Sequence, residues 1–390
     1  MVNTPRILFI TTVHAAHRAF LLPFARHFRM KNWLVDAMAA GITSCPECET
    51  DYDRVYEIAW SRNPLDLDNF TKAVSRVRKV VKEGAYNLVH VHTPVAAFVT
   101  RYSLRNLRRI GKPKIIYTAH GFHFHRNGRP LSNAIFLGLE KLAGHWTDYL
   151  VVINREDEAA ARRYRIVPPE RVRYMPGIGI DLNQYNPEQV SKEEIGRVRE
   201  ELRLEDDHKL FLMVAAFDPR KRHRDAIQAL SLLEDERVVL AFAGEGPLRP
   251  QIEELARRVG VLGQVRFLGF RKDIPALIRA SLATMLTSGQ EGLPRAIMES
   301  MALGVPVIGA DARGTRDLLE SGAGVIVPVG DPIALAEAMR RLIENPEEGH
   351  KMGKRGLEAI RAYDLTNILR LHMELYEEAL GEKRSAFVNA

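Results

Sequence analysis

Between Thr287 and Gly304 the chain reads TSGQEGLPRAIMESMALG and carries two glutamates, Glu291 and Glu299. A β-branched run ends at Thr287–Ser288 and a glycine-bearing turn follows. A helix is expected to open near Leu293, with Pro294 at a favourable early position. The amides of Gly292, Leu293 and the next residue would then point out of the helix start. That end is the positive pole of the helix dipole, a setting that suits a diphosphate. At ~1.5 Å rise per residue the Cα atoms of Glu291 and Glu299 lie about 12 Å apart. A carboxylate pair that hydrolyses glycosides works at about 5–9.5 Å. These two instead suit opposite ends of one elongated ligand. Glu299, seven residues from Gly292, returns to the same helix face.

Other groups with chemical potential are scattered. Lys221 sits between Arg220 and Arg222 in a basic run, which alone means an exposed helix start. The segment YTAHGFHFH holds His120, Phe122, His123 and His125 at the end of a β-like run. Its H-x-x-H-x-H spacing invites a metal reading, but at a strand end these residues fit the lining of a cleft better. His14, His17 and Arg18, in TVHAAHR, stand either for ligand contacts or for ordinary surface positions. Asp51 and Asp53 form a literal D-x-D, and Asp66 and Asp68 form another, so the pattern arises cheaply and no metal site is expected. Gly244-Glu245-Gly246 follows a strand but lacks the third glycine and distant acid of a dinucleotide fingerprint. It reads as a loop near bound phosphates. Cys45 and Cys48 lack further ligands of zinc spacing; their C-x-x-C spacing leaves a redox pair open, but nothing around it supports one, and they read as two free thiols in a loop.

The elements that must carry these groups alternate throughout. Strand candidates run Arg6–Thr12, Trp33–Ala37, Arg54–Ile58, Asn87–His92, Lys114–Thr118, Tyr149–Ile153 and Val172–Met175. A Gly/Pro/Asn-rich stretch, Pro176–Pro187, reads as a linker. A second set follows at Leu210–Ala216, Val238–Ala243, Val265–Leu268, Leu282–Leu286, Val305–Ile308 and Val325–Val327. Helical patterns fill the gaps, for example Leu67–Val81, Ala96–Ile110, Arg222–Leu232, Leu248–Val259 and Pro332–Ile343. This α/β alternation predicts two Rossmann-like, doubly wound parallel-sheet domains, about 1–186 and 187–363, facing a cleft. The last helical stretch, within 364–390, is expected to pack back on the first domain.

At 390 residues, 46% apolar and 27% charged, the composition is that of a soluble globular protein. No apolar run reaches the ~18 residues of a membrane-spanning helix. The opening MVNTPRILFITT has no signal-type cleavage site and reads as a strand, so a cytoplasmic location is expected. The net charge of +7 is uneven: residues 1–186 hold 27 Lys and Arg against 16 Asp and Glu. Arg101, Arg105, Arg108, Arg109 and Lys112 fall at helical spacing on one face. That face could rest on an anionic membrane surface at the inner side of the cell membrane. No nucleic-acid reader motif or stacking platform accompanies the charge, so no nucleic acid is expected.

The Thr287–Gly304 segment resembles the E-x7-E signature of retaining glycosyltransferases of family 4, which have the GT-B fold. Residues 244–278 and 305–339 are similar to the C-domain segments on either side of that signature. YTAHGFHFH, TDYLVVINREDEAAA and YMPGIGIDLNQYNP resemble the branch that builds bacterial exopolysaccharide, capsule and lipid-linked oligosaccharides. The resemblance implies transfer of a hexose-type sugar from a nucleotide sugar, UDP-linked, with retention and without a metal or other cofactor. The acceptor would be a glycan or lipid-linked intermediate of a surface polysaccharide.

The resemblance also implies roles. Glu299 would hold the ribose hydroxyls, Glu291 the transferred sugar, and the Gly292–Leu293 amides sugar or phosphate. Lys221 matches the lysine that neutralises the diphosphate, and His120 a histidine near the sugar's 6-position. Family members usually carry an arginine five residues before that lysine; here Ala216 stands there, and Arg220 or Arg222 would have to replace it. The N-terminal Gly-Gly loop is replaced by the histidine-rich Thr12–Arg18, placing His14, His17 and Arg18, with Phe122 and His123, on the acceptor side. Two rivals share the architecture: a UDP-sugar 2-epimerase, which would not carry this E-x7-E context, and a non-catalytic scaffold that binds sugar nucleotides or glycans.

Overall fold

The computed structural model describes residues 4–60, 66–107, 113–126 and 128–381. It divides into two compact units: residues up to Ile178 together with those from Thr366 onward, and Gly179–Leu365.

The first unit is built on β1 (Arg6–Val13), β2 (Leu34–Ala40), β3 (Arg54–Glu57), β4 (Leu88–His92), β5 (Lys114–Ala119), β6 (Tyr149–Val152) and β7 (Val172–Tyr174). These form one sheet in the order β3-β2-β1-β4-β5-β6-β7, with every neighbouring pair parallel. The central strands are buried along almost their whole length, as a sheet covered by helices on both faces requires. Helix Lys72–Gly84 shows how the cover is coded: Ala73, Val74, Val77, Val80 and Val81 are its buried stripe. Helix Leu365–Leu380 belongs to this unit. Its Tyr376 ring lies 5.0 Å from Phe28 and its hydroxyl 2.5 Å from His90 Nδ1.

The second unit has β8 (Lys209–Val214), β9 (Val238–Ala243), β10 (Val265–Gly269), β11 (Ala283–Leu286), β12 (Val307–Ala310) and β13 (Gly324–Val327). Their order is β10-β9-β8-β11-β12-β13, again all parallel. Both sheets thus reverse their winding once, between β1 and β4 and between β8 and β11. Ligands of such sheets bind beyond the carboxyl ends of the strands at that reversal.

Three readings of the sequence need correction. The stretch taken as a linker is built into the second unit from Gly179 on: the Ile180 amide donates to Tyr363 O at 2.9 Å, and Tyr185 is buried. Cys45 and Cys48 are not free thiols in a loop but a disulfide at the start of helix Pro46–Asp51. An N-cap and its third helical residue lie side by side, which brings the two sulfurs together. Arg101 does not line an exposed basic face. It is 1% exposed, pairs with Glu140 at 3.0 Å and lies 4.1 Å over the Tyr117 ring. Arg105 folds onto Tyr102, and Arg108, Arg109 and Lys112 lie outside the described residues. No helix among the described residues is long and apolar enough to cross a membrane.

Candidate functional site

In the second unit the loops leaving β8 and β11 meet at the winding reversal. The β8 loop runs through Ala215–Arg222 and the β11 loop through Thr287–Pro294. Three contacts stitch them together. Thr287 Oγ1 donates to the carbonyl of Lys221 at 2.7 Å, and the Gly289 amide to that of Arg220 at 2.9 Å. The third is an ion pair, Lys221 Nζ to Glu291 Oε1 at 2.6 Å. Both side chains are mostly covered, with 24% and 11% of their surface exposed. The helix that opens at Arg313 buttresses this loop, because Arg313 Nε donates to Glu291 O at 3.0 Å. A side chain on Gly314 would strike the Gly292 carbonyl, so only glycine lets the two backbones approach.

Glu299 lies on helix Arg295–Ala302 and is 7% exposed. Tyr185 Oη donates to its Oε1 at 2.8 Å and Arg295 Nε donates to the same oxygen at 2.9 Å. Its second oxygen stands outside these two bonds. Burial pushes the Glu299 carboxyl above the usual carboxylate range, and the Arg295 charge and Tyr185 hydroxyl pull part of that back. Burial, and after it the same carboxylate, pushes the Tyr185 phenol up.

The structure corrects one detail of the sequence expectation around this core and adds others. The helix begins at Arg295 and Pro294 is its N-cap, so the residue after Leu293 has no amide hydrogen to offer. Arg220 pairs with Asp218, at 2.9 Å, and Arg222 with Asp225, at 2.5 Å. Arg222 also takes a left-handed conformation, φ +54°, as the N-cap of helix His223–Ser231. Gly244 braces the β8 loop, since a Cβ there would sit 2.0 Å from Ala215 O.

In the first unit the strand ends at the reversal carry histidines. His120, just past β5, accepts or donates one bond, Nε2 to His92 Nδ1 at 3.0 Å, and stacks on Phe20. Burial lowers its pKa to about 4, with the neighbouring His372 second. His123 is exposed beside Phe136, and Asn133 holds the backbone of His125. His14 is half-buried and Arg18 exposed. Two acceptor-side expectations fail on burial. His17 is fully covered, bonded to Tyr52 at 2.8 Å, with its pKa lowered to about 4 by burial. Phe122 is 1% exposed and stacks on Phe124 inside the core. The two D-x-D motifs are structural in their contacts: Asp51 pairs with Arg26, Asp53 with Arg29 and Asp68 with Lys72.

Tyr185, Arg295 and Arg313 were not anticipated from sequence. Arg295 stands four residues before Glu299, the helical spacing of an ion pair, and that signal was available. Nothing local marked Tyr185, whose partner is far along the chain.

The comparisons with known proteins agree with this architecture. The family described as Glycosyltransferase Family 4 matches residues 19–184, and Glycosyl transferases group 1 matches residues 194–359. The chain is 33% identical over 383 residues to EpsD of Bacillus subtilis (strain 168), which bears a glycosyltransferase assignment, covering 95% of this chain and 98% of the relative. It is 25% identical to the UDP-Gal:alpha-D-GlcNAc-diphosphoundecaprenol alpha-1,3-galactosyltransferase of Escherichia coli, over 72% of each chain. Among solved structures, Anabaena Alr3699/HepE in complex with UDP superposes with a TM-score of 0.79 at 20% identity, covering 96% of this chain and all of that one. With its E-x7-E segment set at the winding reversal of the second of two parallel Rossmann-like sheets, the chain belongs to glycosyltransferase family 4, has the GT-B fold and is a glycosyltransferase.

Proposed function

We propose that the chain transfers a hexose-type sugar from a UDP-sugar to a glycan or lipid-linked acceptor of surface polysaccharide synthesis, with retention and without a metal. The observation that carries this reading is the Lys221–Glu291 pair, together with the buried Glu299 carboxylate on the helix that follows Glu291 in the chain. Similar proteins support the donor and acceptor: the E. coli relative is named for UDP-Gal and a diphosphoundecaprenol acceptor, and HepE was solved with UDP. The second unit holds the donor and the first the acceptor.

In this reading Oε2 of Glu299 accepts the ribose hydroxyls, while Tyr185 and Arg295 fix Oε1. The donor diphosphate displaces Glu291 as the partner of Lys221. Glu291, thereby released, accepts bonds from the hydroxyls of the sugar. The C1–O bond to the phosphate breaks as the acceptor oxygen bonds C1 on the same face, and the acceptor proton passes to the leaving diphosphate. Negative charge thus grows beside Lys221 and the amides of Gly292 and Leu293, which meet it without reorganising. No cofactor beyond the nucleotide sugar takes part. Gly244 and Pro294 shape the loops, Arg220 adds charge, and His120 of the first unit keeps the sugar-side role that the family resemblance implies for it. His14, Arg18 and His123 are the accessible acceptor-side groups. The protein works in the cytoplasm, peripheral at the inner face of the membrane.

The test is UDP release from a panel of UDP-sugars with a diphosphoundecaprenol-sugar acceptor in EDTA, followed by NMR of the product. Turnover giving an α-linked product from an α-linked donor supports the reading. Inversion, a strict metal requirement or acceptor-free epimerisation would overturn it.

A further inference from the structure

Helix Pro130–Gly144 is apolar on the wrong side for a soluble helix. Leu131, Ile135, Leu139 and Leu142 are 76%, 54%, 40% and 49% exposed. They recur at i, i+4, i+8 and i+11, forming one ridge roughly 17 Å long. Ala134 and Gly138, also exposed, lie along it. Only Ala143 and Gly144 of this helix are buried. Most other exposed large apolar residues stand singly, as is ordinary for a surface.

Charge frames the ridge. Arg126 and Arg129 are exposed at its amino end, and Lys141 and His145 at its carboxyl end. The one acid of the helix, Glu140, is turned inward to Arg101 and Tyr117. Residues 1–186 carry the chain's excess of 27 basic over 16 acidic groups. We infer that this helix docks on the surface of an anionic lipid bilayer, its ridge entering the acyl boundary and its basic ends meeting headgroup phosphates. An apolar face with basic flanks is the pattern that lies in a membrane interface. A second copy fits less well. A single row of side chains falls short of the ~800 Å² per partner of a stable interface, and an antiparallel copy would set basic ends together.

The helix is tied to the loop after β5. Asn133 bonds the amide and carbonyl of His125 at 3.2 and 2.8 Å, and Phe136 lies 5.1 Å from the His123 ring. Docking therefore brings the His120–His125 loop to headgroup level, where a lipid-linked acceptor presents its glycan. That last link rests on the function proposed above; the docking does not.

The test is sedimentation of the full chain with phosphatidylcholine vesicles, with and without phosphatidylglycerol. Wild type binds the anionic vesicles, and added salt weakens the binding. Ile135→Glu/Leu139→Glu, on the exposed ridge, weakens it about a hundredfold with unfolding temperature unchanged. Arg126→Glu/Arg129→Glu removes the preference for anionic lipid. Wild-type failure to bind, or variants that bind like wild type, overturns the inference. So does a ridge variant that turns a dimer into a monomer in light scattering while keeping its vesicle binding, since the second copy is then the occupant. Intact vesicle binding with no sugar transfer sinks the proposed reaction and leaves the docking standing.

Discussion

Lys221 Nζ lies 2.6 Å from Glu291 Oε1, joining two loops that leave neighbouring strands of the second sheet. The free protein thus holds a charge pair where the proposed reaction needs a cation for phosphate and an acceptor for sugar. Each member keeps the other in place until a ligand carries both kinds of group.

Lys221→Ala should lower kcat about 10²–10³-fold, the scale of one preorganised donor at a developing negative charge. Glu291→Gln should weaken turnover while leaving UDP affinity within a few-fold, because its proposed partner is the sugar. Steady-state kinetics beside UDP titration separates the two. Unchanged turnover in Lys221→Ala removes the lysine from the mechanism.

Tyr185→Phe deletes one of two bonds to Glu299 Oε1. UDP affinity should fall about tenfold, the worth of one hydrogen bond to a charged group. Burial already raises the Glu299 pKa, and the tyrosine hydroxyl opposes that rise. Its loss raises the pKa further, so the ionised form is lost earlier as pH falls. The acid limb of the affinity profile should move to higher pH. A profile that stays put, or moves lower, contradicts the arrangement.

The first unit should lose stability in mild acid. Burial lowers the pKa of His17, His120 and His372 to about 4, and holds His90 and His92 well below the usual histidine value. Unfolded, each titrates near 6.5. Their stabilising contribution is fully present above about 6.5 and drains away as pH falls toward 4, where the unfolded chain binds more protons. Trp33, Trp60 and Trp146 are the chain's three tryptophans and all lie in this unit, so their fluorescence follows it through urea unfolding. Equal midpoints at pH 7.5 and 5 would disprove the burial of neutral histidines.

Arg101→Ala leaves Glu140 without its buried partner and should cost about 3–5 kcal/mol. Arg101→Met, which keeps the packing over Tyr117, still strands the carboxylate; pairing it with Glu140→Gln should recover most of the loss. The same fluorescence transition measures all three.

The strands were legible because burial on both faces demands near-continuous β-branched and apolar runs, as in Val238–Ala243. Local pattern and family resemblance singled out Glu291, Glu299 and Lys221, and the structure adds that Lys221 pairs with Glu291 and that Glu299 is buried. What failed was tertiary. Helical spacing put Arg101 on a face but could not say that the face was covered, and the same blindness turned His17 and Phe122 outward. Tyr185 was hidden by its surroundings, because a Gly/Pro/Asn-rich stretch reads as linker until the distant Glu299 claims its hydroxyl. Cys45 and Cys48 were misjudged for want of the helix start that brings them side by side.

The most direct measurement of the central claim is calorimetric titration of UDP into wild type and Glu299→Ala, in EDTA, with GDP and ADP as controls. Wild type should bind UDP saturably without metal and the other nucleotides more weakly, and the variant should lose UDP binding. Equal UDP affinity in wild type and Glu299→Ala would contradict the claim, because the nucleotide would then be held somewhere other than beside this carboxylate.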